Sequence, residues 1–547
     1  MKNMKRYFGL FLFTLFSCIY AQGAVPSVKV YQNQIPVLAG KDMNRALVIE
    51  IIPADGTPFT LEEITIGLRD NDNLEDIRSV RVFRSSKRLL YEPVAPYGSR
   101  MKPASEVTFT GRITCAGNDK INLWVFLEMN EEIDLLNKYT VECLAVKTPE
   151  GEAKIVPVHP KRELHPGVIV RDKGDDGVHT YRIPGIVTTN EGTLLAIYDV
   201  RYDSNRDLQG HMDIGLSRST DKGLTWEPMK IIMDRGRWGG LPEKFNGISD
   251  ANILVDRVSG DILVTGLWMH GILDKDGKWI ENLDENSDQW IHQWNARGSQ
   301  PGYSVKQTSQ VLQTRSSDDG KTWSPMVNLT KMGKKGSWWL WAPSPGNGIT
   351  LDDGTLVMPT QGRDESGEGF SNIAWSRDHG RTWQSSKPAY KGTSESTVVQ
   401  LPDGSLMLNM RLGANKENED HNGRAICVTR DFGRKWSEHH TSRKALIEPA
   451  CMGNLYKHSY DGGKKSVLLF SNPDSKHSRI NHGIKISFDD GMTWPAKHRI
   501  LLDELRSAGY SCMTSVDEQT IGILYESSQA HLIFQLVGLE EILNPAK

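Results

Sequence analysis

Three observations predict an all-β fold, a six-bladed β-propeller preceded by a β-sandwich. First, the pattern S-x-D-x-G-x-T-W recurs five times, as STDKGLTW from Ser219, SSDDGKTW from Ser316, SRDHGRTW from Ser376, a degraded TRDFGRKW from Thr429 and SFDDGMTW from Ser487. After one wide first gap, its aspartates (Asp221, Asp318, Asp378, Asp431, Asp489) recur every 53 to 60 residues. A period of that size marks repeated supersecondary units. Second, six turns are each followed by an apolar strand: EGTLLAIYDVR, SGDILVTGLW, DDGTLVMPTQ, PDGSLMLNMR, GGKKSVLLFS and EQTIGILYESS. Six such strands predict six blades, the last closing the ring. Third, residues 24 to about 155 lack the repeat but carry short β-like runs such as RALVIEIIP and INLWVFLEM.

Taken in chain order, residues 1–23 predict an export signal. Lys2, Lys5 and Arg6 precede an apolar run from Phe8 to Tyr20, too short to span a bilayer comfortably. Ala21 and Gly23 are small residues suited to cleavage before Ala24. The mature protein is thus expected in the periplasm or outside the cell; lipidation at Cys18, giving a surface lipoprotein, is the alternative. Residues 24–155 predict the sandwich. Residues 156–166, rich in proline, predict a linker. The propeller is expected over 167–547. A polar, Trp-bearing insertion, KWIENLDENSDQWIHQWNARGSQPGY, separates the first two boxes and is a candidate to overhang an active site.

The box has a mechanical logic. Its Asp accepts bonds from neighbouring backbone N–H groups and fixes a tight turn. Its Gly suits a positive φ, and its Trp supplies apolar surface between units. These aspartates are therefore expected to be scaffold.

Composition narrows the function. The chain has 547 residues and a net charge of −3, so nothing favours nucleic acid or an anionic membrane surface. No later segment predicts a transmembrane helix. Five cysteines follow the signal: Cys115, Cys143, Cys427, Cys451 and Cys512. They have no C-x-x-C spacing, so zinc is not expected. Cys115 with Cys143 is a candidate disulfide, with buried free thiols the alternative. Neither H-E-x-x-H nor a P-loop is present, and no metal or cofactor is expected.

The residues that carry chemistry lie at strand ends. Arg182 sits in YRIP, Arg201 ends LLAIYDVR, Arg411 ends LMLNMR and Arg479 lies in HSRINHG. In a propeller, equivalent strand ends converge, and clustered guanidinium groups make a cationic pocket matched to a carboxylate.

These boxes, YRIP, the arginines and a late GYS tripeptide resemble the bacterial exo-sialidases (neuraminidases) of glycoside hydrolase family 33, over residues 165 to 547. The N-terminal part resembles the β-sandwich accessory domain found ahead of some of them, with either a carbohydrate-binding or a structural role. Trp124, its only tryptophan, lies in an apolar run that predicts core. The resemblance implies a substrate class of sialylated glycans: mucin-type glycoproteins, gangliosides and oligosaccharides. It implies that Arg182, Arg411 and Arg479 hold the sialic acid carboxylate. Tyr510 would be the nucleophile and Glu395 the residue that activates it. Asp207 would be the acid/base, with Asp203 and Asp213 as competitors. Arg201 and Asp250 would lie near the sugar O4, and Glu526 would buttress Arg182.

The chemistry explains a tyrosine. The substrate's own carboxylate sits on the anomeric carbon and would repel a carboxylate nucleophile. A neutral phenol avoids this, and sialidases are a known departure from the two-carboxylate scheme. Asp207 must be protonated for part of the cycle, so its surroundings are expected to raise its pKa. A transfer enzyme, including an intramolecular one, would keep every residue named. A non-catalytic glycan-binding propeller would need neither Tyr510 nor Glu395.

Overall fold

The structure, a computed structural model, describes residues 25–207, 210–237, 243, 246–270, 299–305, 308–416 and 421–544. The export signal over 1–23, Cys18 and residues 278–298 of the Trp-bearing insertion lie outside them. Among the described residues no helix is long and apolar enough to cross a membrane.

The architecture is all-β. Residues 27–157 form two sheets. One has six strands in the order Lys154–Pro157, Ser27–Tyr31, Asn44–Ile52, Ile121–Met129, Ile77–Ser85, Pro93–Pro96. The other has four: Gly151–Glu152, Glu142–Thr148, Phe59–Gly67, Glu106–Cys115. Strand Ile121–Met129 is buried along its whole length because alternate residues serve two clusters. Leu123, Val125 and Leu127 join Ile49, Ile64 and Phe109 in the main core. Trp124 and Phe126 pack with Val48, and the Trp124 indole donates to Lys87 O at 3.1 Å. Trp124 is core, as its apolar run predicts.

The proline-rich stretch is a packed connection, not a free spacer. Pro157 ends a strand of the first sheet, and Pro166 begins a strand of a later one. Between them Leu164 bridges to Tyr139, and His165 Nε2 lies 2.9 Å from Glu541 Oε1. Val37–Leu38 pairs in parallel with Pro166–Gly167, and one hydrophobic core runs from Val28 through Phe534. All five cysteines are free thiols, Cys115 and Cys143 included.

Six further sheets follow in chain order. Each of the first five carries one box, in the turn after its third long strand, as in Met212–Ser219 before Lys230–Met233. The sixth is built differently. Strands Ser511–Asp517, Thr520–Tyr525 and Leu532–Gly538 come from the C-terminal end, but the next strand outward is Pro166–Arg171. No hairpin turn follows the third strand there, which is why six sheets carry only five boxes.

Inside a box the bonding repeats. Asp221 accepts from Ser219 Oγ (2.7 Å), Thr225 N (3.0 Å) and Thr225 Oγ1 (2.5 Å). Gly223 has φ 90°, and the residue before it, Lys222, is also left-handed at 61°. A Cβ at Gly223 would run into Phe534 of the sixth sheet; at Gly320 it would meet Leu195 of the first, and at Gly380 Leu263 of the second. Each box glycine thus lets its turn press on the neighbouring sheet, and Gly223 joins the first sheet to the last. In the degraded fourth box, Asp431 keeps its bonds from Thr429 Oγ1 and Lys435 N, but Lys435 has no hydroxyl to supply the third.

Candidate active site

A cavity of about 460 Å³ is lined by residues on strands of four of these sheets, by Arg479 in a connection of the fifth and by Tyr510 just ahead of a strand of the sixth. Among them are Arg182, Arg411, Arg479, Asp207, Asp250, Glu395 and Tyr510. The first strands of three sheets carry register shifts at this cavity: between Arg182 and Gly185, between Ser249 and Asn252, and between Thr393 and Ser396. Two include a non-glycine residue in the left-handed region, Ile183 at φ 60° and Asp250 at 54°. Bulges re-aim side chains, and here they turn Arg182, Asp250 and Glu395 to the cavity.

The Tyr510 hydroxyl donates to Glu395 Oε1 and accepts from Arg411 Nη1 at 3.0 Å. Arg411 Nη1 also donates to Glu395 Oε2. The ring packs with Ile183, Cys451 and Met452, and the Arg182 and Arg479 guanidinium groups lie 5.2 and 5.6 Å from its centroid. Burial, and then the Glu395 carboxylate, raise the phenol well above its ordinary value. It is therefore a neutral hydroxyl with a proton acceptor already in place.

Glu526 organises the same corner. Its Oε1 accepts from Arg182 Nε (2.5 Å) and Ile183 N (3.0 Å), and its Oε2 from Tyr510 N (2.9 Å). Burial pushes its carboxyl up, but Arg182 and these N–H groups outweigh that, and it titrates below its usual range. One buried carboxylate thus fixes both Arg182 and the backbone of Tyr510. Arg479 is held by Nη1 donating to Ala508 O at 2.6 Å.

Arg201 is placed differently from the other arginines. Its side chain is 1% exposed and is not among the cavity-lining residues. It donates to Asp199 Oδ2 from Nε and Nη2 (3.2 and 2.9 Å), and from Nη1 to Asn205 O (3.0 Å) and Asp207 Oδ1 (2.6 Å). It stands behind Asp207 and holds its inner oxygen. Asp207 lines the cavity with its side chain 55% exposed.

The expected upward shift at Asp207 is not met. Burial pushes its carboxyl up, but Arg201 and then Arg182 overcome this and hold it below its ordinary value. The raised carboxyls are elsewhere. Asp250 is driven well up by burial and by Asp199, Glu395 and Asp207. Burial, then Asp234, lift Asp213 to about 7, but Asp213 is 3% exposed and does not line the cavity. Asp203 does not line it either.

Three residues escaped the sequence reading. Asp199, fully buried, accepts from Arg201, Ser249 Oγ (2.6 Å) and Asp250 N (3.2 Å). Its signal was available: two residues before Arg201 on one strand, it shares that residue's face. Arg363 and Gln361, on strand Leu356–Arg363 of the third sheet, line the cavity. Arg363 ends LVMPTQGR as Arg201 ends LLAIYDVR, so the repeat itself pointed to it. Among the described residues no cluster of three or more His, Cys, Asp or Glu side chains suits a metal ion.

A tyrosine paired with a carboxylate, beside three arginines, defines a glycosidase-type site for a sugar that bears its own carboxylate. The comparisons agree. Residues 183–500 match the BNR repeat-like domain, and residues 26–94 the N-terminal domain of BNR-repeat neuraminidase. A sialidase of Bacteroides fragilis is 37% identical over 99% of this chain and 100% of its own length. One from Paraclostridium sordellii is 27% identical over 64% of this chain and 81% of its own. The solved Hadza microbial sialidase Hz136 superposes with a TM-score of 0.83 at 37% identity, covering 94% of this chain and 100% of that one. The intramolecular trans-sialidase from Ruminococcus gnavus (TM-score 0.53, 20% identity, 68% of this chain, 98% of that one) shares the fold. The chain belongs to the BNR-repeat sialidases.

Proposed function

We propose that this exo-α-sialidase cleaves terminal sialic acids with retention of configuration, through a covalent sialyl intermediate on Tyr510. The observation that carries this reading is the Tyr510 hydroxyl, held between Glu395 and Arg411 and flanked by Arg182 and Arg479.

The three arginines receive the substrate carboxylate. Tyr510 Oη then attacks the anomeric carbon while its proton passes to Glu395. As the glycosidic bond breaks, Asp207 gives its proton to the leaving oxygen. In the second half, Asp207 takes a proton from water, the hydroxyl adds to the anomeric carbon as its bond to Tyr510 Oη breaks, and the released phenolate recovers its proton from Glu395. Two displacements at one carbon give net retention. Asp250, which lines the cavity, can bond a sugar hydroxyl near O4, and Arg201 holds Asp207 beside it.

The six sheets are read as six propeller blades, closed where Pro166–Arg171 pairs with Leu532–Gly538. The basic and then apolar leader over 1–23 supports export to the periplasm or beyond. The substrates are sialylated glycoproteins, glycolipids and oligosaccharides.

Proton NMR of an α-sialoside at early times tests the reading. Free α-sialic acid appearing first, then mutarotating to β, is expected. An anhydro product, or sialic acid moved to another sugar, would change the reaction class; β-sialic acid appearing first would overturn retention.

A further inference from the structure

We propose that Tyr202, His211 and Asp213 form a clasp at the base of the loop that bears Asp207, and that this clasp sets the aim of Asp207 at the leaving oxygen. The inference rests on the reading of Asp207 as the acid.

The loop leaves strand Leu194–Arg201 and returns in strand Met212–Ser219, whose last ladder pair is Arg201 with Met212. Tyr202 and His211 stand immediately beyond that pair. Their rings stack with centroids 4.0 Å apart and planes 21° from parallel. The Tyr202 backbone N–H donates to His211 O at 3.2 Å, and Tyr202 O accepts from His179 N at 3.2 Å. The Tyr202 hydroxyl donates to Asp213 Oδ2 at 3.0 Å, across to the returning strand. Both ends of the loop are thereby tied to each other and to the sheet.

Asp213 is buried, and a buried carboxyl costs stability unless it is partnered. Its neighbours include acids that oppose a charge there. Asp234 and Glu243 act on it, and His211 Nε2 lies 3.7 Å from its Oδ2 and 3.3 Å from Glu243 Oε1. A leucine would be cheaper at this point, but would not hold the Tyr202 hydroxyl.

The Asp207 side chain is more than half exposed, and Arg201 restrains it only from within. Arg201 fixes the carboxylate's inner oxygen; the clasp fixes the track on which the loop enters and leaves. Proton transfer needs the donor within hydrogen-bond reach of the leaving oxygen, and small misplacements are costly. Tyr202, His211 and Asp213 are thus positioning residues and touch no substrate.

The test compares kcat on two sialosides, one with a sugar leaving group and one with an activated aryl leaving group that needs little acid help. Tyr202→Phe keeps the stack and removes the hydroxyl; Asp213→Asn and His211→Ala probe the other two members. Asp207→Ala serves as the reference. The clasp predicts a loss of roughly ten- to hundredfold on the sugar glycoside and roughly twofold or less on the aryl glycoside, in Tyr202→Phe and in at least one other variant. A general loss of folding would lower both substrates together. Equal losses, or no loss, in all three variants while Asp207→Ala shows the split would overturn the clasp. No split in Asp207→Ala would overturn the acid assignment and the clasp with it.

Discussion

Arg201 stands directly behind Asp207, with its Nη1 2.6 Å from the Asp207 Oδ1 and its own side chain 1% exposed. This pairing decides how the acid titrates. Arg182 and Arg479 also hold Asp207 down, and both line the cavity as members of the proposed clamp for the substrate carboxylate. When that carboxylate arrives it offsets their charge, so the Asp207 pKa rises in the complex. Breaking the glycosidic bond needs the protonated form, so the rate falls as pH rises through that pKa. For an unactivated sialoside, kcat/KM reports the free enzyme and kcat the complex. The basic limb of kcat should therefore lie at higher pH than that of kcat/KM. Coincident limbs in steady-state profiles would contradict this.

Tyr510→Phe keeps the ring among Ile183, Cys451 and Met452 but removes the oxygen that Glu395 and Arg411 hold. Turnover should fall by roughly 10³-fold or more, the scale on which single catalytic groups act. Inhibitor affinity should change little, because the arginines remain. Isothermal titration with a sialic acid analogue alongside kcat separates the two, and a variant with ordinary turnover would refute the nucleophile.

Glu526→Gln tests the corner that joins clamp to nucleophile. Each Glu526 oxygen faces N–H donors, so an amide must turn an NH₂ group toward one of them. A buried donor left without an acceptor costs about 1–3 kcal/mol. The variant should melt lower, and its KM should rise because Arg182 loses its anchor. A KM unchanged from the parent would show that Arg182 is set by something else.

The boxes predict a pH-dependent contribution to stability. Partial burial pushes the Asp378 carboxyl up, but the Thr382 hydroxyl and backbone N–H, with Ser376, bring it down from 3.8 to about 2. Its folded value is depressed, so the stabilisation is present above 3.8 and is lost as pH falls through about 2. Asp378→Asn should lower Tm at neutral pH, with the gap to the parent closing across that window. Lys435→Thr, which restores the missing hydroxyl in the fourth box, should raise Tm. Differential scanning at several pH values checks both.

The boxes made the repeated scaffold legible because a turn needs its Asp, Gly and hydroxyl at fixed spacing whatever surrounds it. The missing sixth box is intelligible only once Pro166–Arg171 is seen beside Leu532–Gly538, a pairing across most of the chain. Arg182, Arg411, Arg479, Glu395, Tyr510, Asp207, Asp250 and Glu526 were named from sequence and are brought together. The bulges at Ile183 and Asp250 were not legible, since neither is a glycine. The burial of Arg201 behind Asp207 was not legible, because strand position alone does not say which arginine is buried. The Asp207 pKa was misjudged for the same reason: its sign depends on how close Arg201 and Arg182 come, and sequence does not give distances. The 156–166 stretch shows the converse, since prolines that suggest a spacer are compatible with strand ends packed against both neighbours.

The most direct test of the central claim is to trap the intermediate. The enzyme would be incubated with 2,3-difluorosialic acid, its intact mass measured, and the labelled peptide sequenced. The account predicts one sialyl adduct per chain on Tyr510, absent from Tyr510→Phe and formed more slowly in Glu395→Gln. An adduct on another residue, or turnover of the reagent in the Tyr510→Phe variant, would contradict it.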